Sequence, residues 1–217
     1  MELYPWKAQV HIVGATPLLI HNGRMASPLD VFSKKMKLLT SKRKKTEDDL
    51  KNILEIQWEG GLYWDDEIGL HMPTENLLAA LLKAYKHHKL GKNITGIVFD
   101  EPIGFPIITQ NHKNLIALKA DDSNKFIKAV TIQRSKTLSC RPIFKKWEMG
   151  FEFFIDEEFS GVDEIKMILF TMSQRIGLGV WTPSHPKPGS YGKFLIKSLI
   201  FKNSKTGEEK VYENKSI

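Results

Sequence analysis

The order of periodic segments predicts an α+β fold with a largely antiparallel sheet. Three observations carry this: period-two segments near both ends, helical spacing at 46–58, 74–89 and 161–175, and a middle stretch at 97–155 that reads as strands. The chain has 217 residues, 41% of them hydrophobic, enough for one core without disulfide or metal staples. No repeat of fixed period and no low-complexity linker interrupts it, so a single domain over 1–217 is expected.

The elements follow in order. Residues 6–13, WKAQVHIV, alternate apolar and polar and predict the first strand; Gly14, Pro17 and Gly23 then break the chain into the loop GATPLLIHNG. A lysine-rich stretch leads to a helix near 46–58, with Thr46 as N-cap and Glu47, Asp48 and Asp49 in its first turn, where acids suit the helix dipole. A short hairpin, GLYW–DDEIG–LHM, precedes Pro73, which opens the helix at 74–89. There Leu77, Leu78, Leu81, Leu82 and Tyr85 keep helical spacing, and Gly91 ends it. Alternation predicts strands at 126–138 and 149–155. A third helix at 161–175 feeds a glycine-rich loop at 176–192, a last strand, KFLIKSLIF, and a hairpin tail.

Several classes are excluded. Cys140 is the sole cysteine, so neither an internal disulfide nor a multi-cysteine zinc site can form. The start, MELYPWKAQVHIV, lacks a signal-peptide pattern, and the longest apolar runs, such as MILF, fall far short of the roughly 20 residues that span a bilayer. A soluble protein of the cytoplasm (the host's, if phage-encoded), with no membrane partner and no cofactor, is the expectation.

Lys and Arg number 32 against 25 acids, a net charge of +7 that suits a polyanion. The densest feature is Lys34, Lys35, Lys37, Lys42, Arg43, Lys44 and Lys45, with no acid among them. Such a run repels itself unless water, salt or phosphates screen it. A second group is Arg134, Lys136, Arg141, Lys145 and Lys146 beside Phe144 and Trp147. Strand alternation is expected to bring Arg134, Lys136 and Arg141 to one face, and cations interleaved with aromatics suit a single strand; aromatics turned into the core are the alternative. The third feature is the loop 175–194, with glycines at 177, 179, 189 and 192 and with Trp181 and Tyr191 as candidate stacking surfaces. Its glycines permit close backbone approach and exposed amides, yet it is neither a Walker loop nor a dinucleotide fingerprint.

Catalytic patterns are sparse. None of the seven histidines has zinc-ligand spacing, and Asp65–Asp66 and Glu157–Glu158 sit in polar, turn-like surroundings. His21, just after the first strand, is the one candidate for a general acid or base.

With these motifs in place, a resemblance emerges. GATPLLIHNG after the first strand, LHMPTENLLAALLKAY, and GLGVWTPSHPKPGSYGKFLI resemble three signatures of the RAMP superfamily, although MPTEN stands where Pro–Gly–Ser–Ser is usual. Nearly end to end, the chain is also similar to a group of small bacteriophage proteins that share PLLIHNG, SKRKKT, RPIF..W and GLG.W. The resemblance implies a ferredoxin-like (RRM-like) βαββαβ core with a basic helical insertion at about 28–58 and a β-rich insertion at about 97–147. It further implies single-stranded nucleic acid as the partner, gripped in the manner of the backbone subunits of CRISPR effector complexes, which assemble side by side along the strand. Lys83 and Lys86, the run at 34–45 and Lys193 are the contacts so implied. In that superfamily a histidine near the first loop serves an endoribonuclease branch and an aspartate serves some backbone subunits, positions loosely matched by His21 and Asp30.

The reading is a non-catalytic single-strand binder, DNA ahead of RNA, forming a homo-oligomer or filament. Lys34, Lys35, Lys42, Arg43, Lys44, Arg134, Lys136 and Arg141 would neutralise phosphates, and Trp181 or Tyr191 would stack on bases. An endoribonuclease using His21, and a protein-interaction module that inhibits a host defence complex, are the alternatives.

Overall fold

The computed structural model describes residues 4–132 and 135–214. From the N-terminus, β1 (Trp6–Gly14) and β2 (Leu18–Leu19) precede α1 (Val31–Thr40) and α2 (Glu47–Gly60). A hairpin of β3 (Trp64–Asp65) and β4 (Gly69–Pro73) opens into α3 (Thr74–His87). Next come β5 (Ile97–Val98), β6 (Gly104–Pro106), the short α4 (Leu115–Ala120), β7 (Lys125–Ile132), β8 (Ser135–Phe144) and β9 (Glu148–Ile155). Helix α5 (Val162–Thr171), β10 (Phe194–Asn203) and β11 (Glu209–Glu213) close the chain.

This is a mixed α+β structure with antiparallel sheets. The main sheet has five strands in the order β11-β10-β1-β9-β5, every pairing antiparallel. Period-two alternation in β1 buries Trp6, Ala8, Val10 and Ile12 and turns Lys7, Gln9 and His11 to the other face. Helices α3 and α5 cover the apolar face. Leu77, Leu81 and Tyr85 of α3 and Ile165, Ile168 and Leu169 of α5 are buried at helical spacing in the same core as Phe151, Phe153, Ile196 and Phe201. Two further three-stranded sheets, β2-β8-β7 and β3-β4-β6, flank the main one.

Helix α2 forms where its N-terminal signal stands. Thr46 accepts from the Asp49 amide while Asp49 accepts from the Thr46 amide, a reciprocal capping box. The stretch before it is itself helical, as α1, capped by Asp30. The segment 126–138 is not one strand. Strands β7 and β8 pair from Lys125↔Pro142 to Ile132↔Ser135, so the chain reverses within it and forms a two-stranded arm. The third helix also ends early, at Thr171, and continues as a π turn over Met172–Ile176.

Among the described residues, no helix is long and apolar enough to cross a membrane, and no group of three or more His, Cys, Asp or Glu side chains is placed to hold a metal ion.

Candidate nucleic-acid interface

The closing loop, 177–193, lies against the loop that follows β1, and glycine makes the contact possible. Gly179 sits at φ +82°, and a Cβ there would stand 2.2 Å from the Leu19 carbonyl oxygen. At Gly192, φ +70°, the clash would be with the Leu178 carbonyl oxygen, at 1.8 Å. The amides nearby are spent inside the protein: Val180 donates to Leu19 (2.8 Å), Leu178 to Gly192 (2.9 Å) and Gly192 to Pro17 (2.9 Å). The expectation of exposed amide donors therefore gives way to a backbone weld between two loops.

On this weld sits Trp181, itself left-handed at φ +52°. A bulky residue in that region is held there by its surroundings at a cost of about 1–3 kcal/mol. The chain around it is tied by Gly189 and Tyr191, whose amides donate to Thr182 and Trp181 carbonyls. The indole is thereby aimed at the arm. The Arg141 guanidinium lies over the ring, 4.7 Å from its centroid, and the Lys128 ammonium lies over the same ring at 5.0 Å. Phe126, the cross-strand partner of Arg141, meets Trp181 and Tyr191 edge-on at 5.7 and 5.8 Å.

Two sequence features remote from each other, the basic strand and the glycine loop, are thus one surface. Among the described residues, no ion pair involves Arg141, Lys128 or Lys83. Burial lowers the Arg141 pKa, the mark of a half-desolvated guanidinium without a carboxylate beside it.

A cleft of about 160 Å³ opens between α3 and the welded loops, lined by His21, Tyr63, Asn76, Lys83 and the Gly177–Gly179 backbone. Burial, and then the charge of Arg141, hold the His21 imidazole below its usual pKa. Tyr63 Oη donates to the His21 carbonyl (3.2 Å), which fixes the backbone there. Among the described residues no hydrogen bond orients the His21 ring.

The other expected residues scatter. Lys86 is exposed near the C-terminal end of α3 with its stem beside Gly91. Lys193 serves through its backbone: its amide donates to Thr16 Oγ1 and its carbonyl accepts from Ala15 and Thr16. Arg134 lies outside the described residues, as does the side chain of Lys136. Arg141 shares its side of β8 with Ser139 and Thr137. Phe144 and Trp147 turn inward, 1% and 3% exposed, and the Trp147 indole donates to the Thr16 carbonyl (2.9 Å).

The lysine run forms a separate surface. Lys34, Lys35, Arg43 and Lys44 are exposed on and just after α1. Lys42 is occupied, bonded to Asp49 at 2.6 Å, and it depresses the pKa of that carboxyl. Asp30 caps the Phe32 amide and accepts from Arg24 Nε (2.9 Å). Pro142 packs against Gly61 at the end of α2. The helical pair therefore sits on the Cys140–Pro142 side of β8, opposite Arg141.

On the uncovered face of the main sheet a groove of about 700 Å³ has a mixed lining, Asp100, Glu101 and Glu152 with Lys113 and His11, and Glu152 is paired with Lys7. Phe126 and Lys128, which the sequence did not single out as site residues, lie against Trp181, and Asn76 lines the cleft. The period-two spacing of Phe126 and Lys128 on one strand is the signal that marks them.

No protein-family model matches the chain, and no curated protein matches it. Among solved structures it is similar, at 13% identity and a TM-score of 0.47, to a chain in a cryo-EM structure of the type III-B Cmr-beta complex bound to cognate target RNA. The match covers 98% of this chain and 62% of that one, so this chain spans less than two thirds of its length.

Proposed function

We propose that this chain binds single-stranded nucleic acid, DNA ahead of RNA, on the surface made by the β7–β8 arm, Trp181 and the cleft of α3. One observation carries the reading: two cations without acidic partners, Arg141 and Lys128, share one indole that the backbone holds in place. A phosphodiester supplies the charge both lack, and the rings of Phe126 and Tyr191 border them for bases. Trp181 itself presents the cations, and its ring is already covered by them; base stacking falls to Tyr191 and Phe126.

Three finer points belong to the same reading. We infer a ferredoxin-like core from two crossing units, β1-α3-β5 and β9-α5-β10, each passing over a strand of the other. The helical pair at 28–58 is an insertion into it, and the insertion expected at 97–147 begins only after β5, at 99. Side-by-side assembly along the strand and kinship with phage proteins follow from the motif resemblance.

Binding proceeds without strand cleavage, because His21 lacks an orienting partner and Asp30 is committed to a helix cap. Gel shift of a 5′-labelled oligonucleotide, as DNA, RNA and duplex, at two salt concentrations tests this. A salt-sensitive shift of intact single strand supports it. No shift at about 50 mM salt, equal affinity for duplex, or cleavage that His21→Ala abolishes overturns it.

A further inference from the structure

We propose that Arg175 is a further phosphate contact for the bound strand, held in position by His87; the inference rests on single-strand binding at the Trp181 surface. The closing loop has cations at both of its ends. Trp181 carries Arg141 and Lys128 at one end, and Arg175 stands at the other, in the π turn of Met172–Ile176. Arg175 and Trp181 are six residues apart, at most about 20 Å of chain. At about 3.4 Å per stacked nucleotide, one strand covers that distance within roughly six.

The turn that carries Arg175 is fixed on both sides. Gln174 donates through Nε2 to the Phe194 carbonyl at 3.1 Å, Ile176 is buried in the core, and the Gly177 amide donates to the Met172 carbonyl at 2.8 Å. Between these anchors the exposed Arg175 side chain reaches α3, where its Nη1 donates to His87 Nε2 at 3.1 Å. A guanidinium has no acceptor capacity, so the imidazole nitrogen is the acceptor. This contact orients Arg175 and leaves its charge uncompensated. Among the described residues, no ion pair involves Arg175, His87 or Lys83. Lys83 stands one helical turn before His87, about 6 Å along the axis of α3. A guanidinium and an ammonium without an acid are completed by an anion. The N–H groups of Arg175 that His87 does not use are suited to the oxygens of a phosphodiester.

The test is a fluorescence-anisotropy titration of a labelled oligo(dT) 12-mer with the full chain and its Arg175→Ala, His87→Leu, His87→Gln and Lys205→Ala variants. Lys205, exposed in the β10–β11 turn, controls for the loss of one charge. Arg175, His87 and Lys205 are exposed, so the variants keep the fold. Arg175→Ala is expected to weaken binding about tenfold, as the loss of a hydrogen bond to a charged group does. It also lowers the magnitude of the salt slope by about 0.7, for one phosphate beyond those of Lys83, Lys128 and Arg141. Lys205→Ala stays within about twofold of wild type, its charge being screened from the strand. His87→Leu weakens binding with the slope unchanged, because the charge stays and only its orientation is lost. His87→Gln restores the affinity, since its amide oxygen accepts the same bond. An Arg175→Ala protein that matches Lys205→Ala overturns the contact and leaves the Trp181 surface standing. A His87→Leu protein with wild-type affinity, or a His87→Gln protein no better than His87→Leu, overturns the positioning by His87. Failure of the wild type to bind any oligonucleotide overturns the binding reading, and this inference with it.

Discussion

Replacing Arg141 by alanine removes the guanidinium that Trp181 presents. A hydrogen bond to a charged group contributes about 1.5–3 kcal/mol, which corresponds to a loss of roughly 10- to 150-fold in affinity. Salt dependence gives a second, independent number. Each phosphate neutralised on a single strand contributes about 0.7 to the slope of log K against log salt. With Lys83, Lys128 and Arg141 as the contacts, the slope is about −2, and Arg141→Ala brings it to about −1.4. Were Lys34, Lys35, Lys37, Arg43 and Lys44 engaged by the same strand, the slope would be nearer −6. Fluorescence anisotropy of a labelled 12-mer between 50 and 200 mM salt reads affinity and slope together, the range over which such contacts show. Arg141→Lys keeps the slope and loses part of the affinity, because an ammonium cannot lie flat on an indole. An Arg141→Ala protein with wild-type affinity and slope would refute the interface.

Other outcomes follow from single residues. Gly179→Ala places a Cβ against the Leu19 carbonyl at a left-handed φ, which costs about 2–5 kcal/mol and lowers Tm by roughly 5–15 °C at this chain length; Gly23→Ala, with open space around it, leaves Tm within about 2 °C. The folded state disfavours the charged form of His21, so stability is full above the unfolded-state pKa of about 6.5 and declines as pH falls below it until the lower folded-state pKa is passed. Melting curves at several pH values should show that decline shrink in His21→Gln, and an unchanged decline would assign it elsewhere. Burial pushes the Cys140 thiol up to about 11, so a thiol reagent at pH 8 is expected to label the unfolded chain and spare the native one; rapid native labelling would contradict the packing of β8 under α2.

What the sequence disclosed was local. The spacing of Leu77, Leu81 and Tyr85 is a property of one helix, and Thr46 with Asp49 caps another within four residues, so α3 and the start of α2 could be read directly. The arm was missed because the chain reverses between Ile132 and Ser135 with neither glycine nor proline to mark the turn. The candidate interface was half visible. Arg141 and Trp181 each stood out by residue type, but their union depends on a loop weld and on which side of β8 an odd-numbered residue takes. Phe144 and Trp147 decide an alternative left open by the sequence: aromatics beside lysines suit either a wet surface or the core, and both fill the core.

The two basic surfaces differ in what binding must still order. On α1, Lys34 is exposed and Lys35 rests only over Phe32 of its own helix, at 5.5 Å, and fixing such a side chain against a phosphate costs up to about 2 kcal/mol of side-chain entropy. Arg141 and Lys128 are already confined over an indole whose backbone is tied on both sides. That cost was met when the chain folded, together with the left-handed strain at Trp181. Per cation, the pair on Trp181 should hold a strand more tightly than the run on α1. Neutralising Arg141 and Lys128 together should weaken binding more than neutralising Lys34 and Lys35 together, although each double change removes two charges. Equal losses from the two would mean that net charge alone drives binding, and that the geometry around Trp181 serves the fold only.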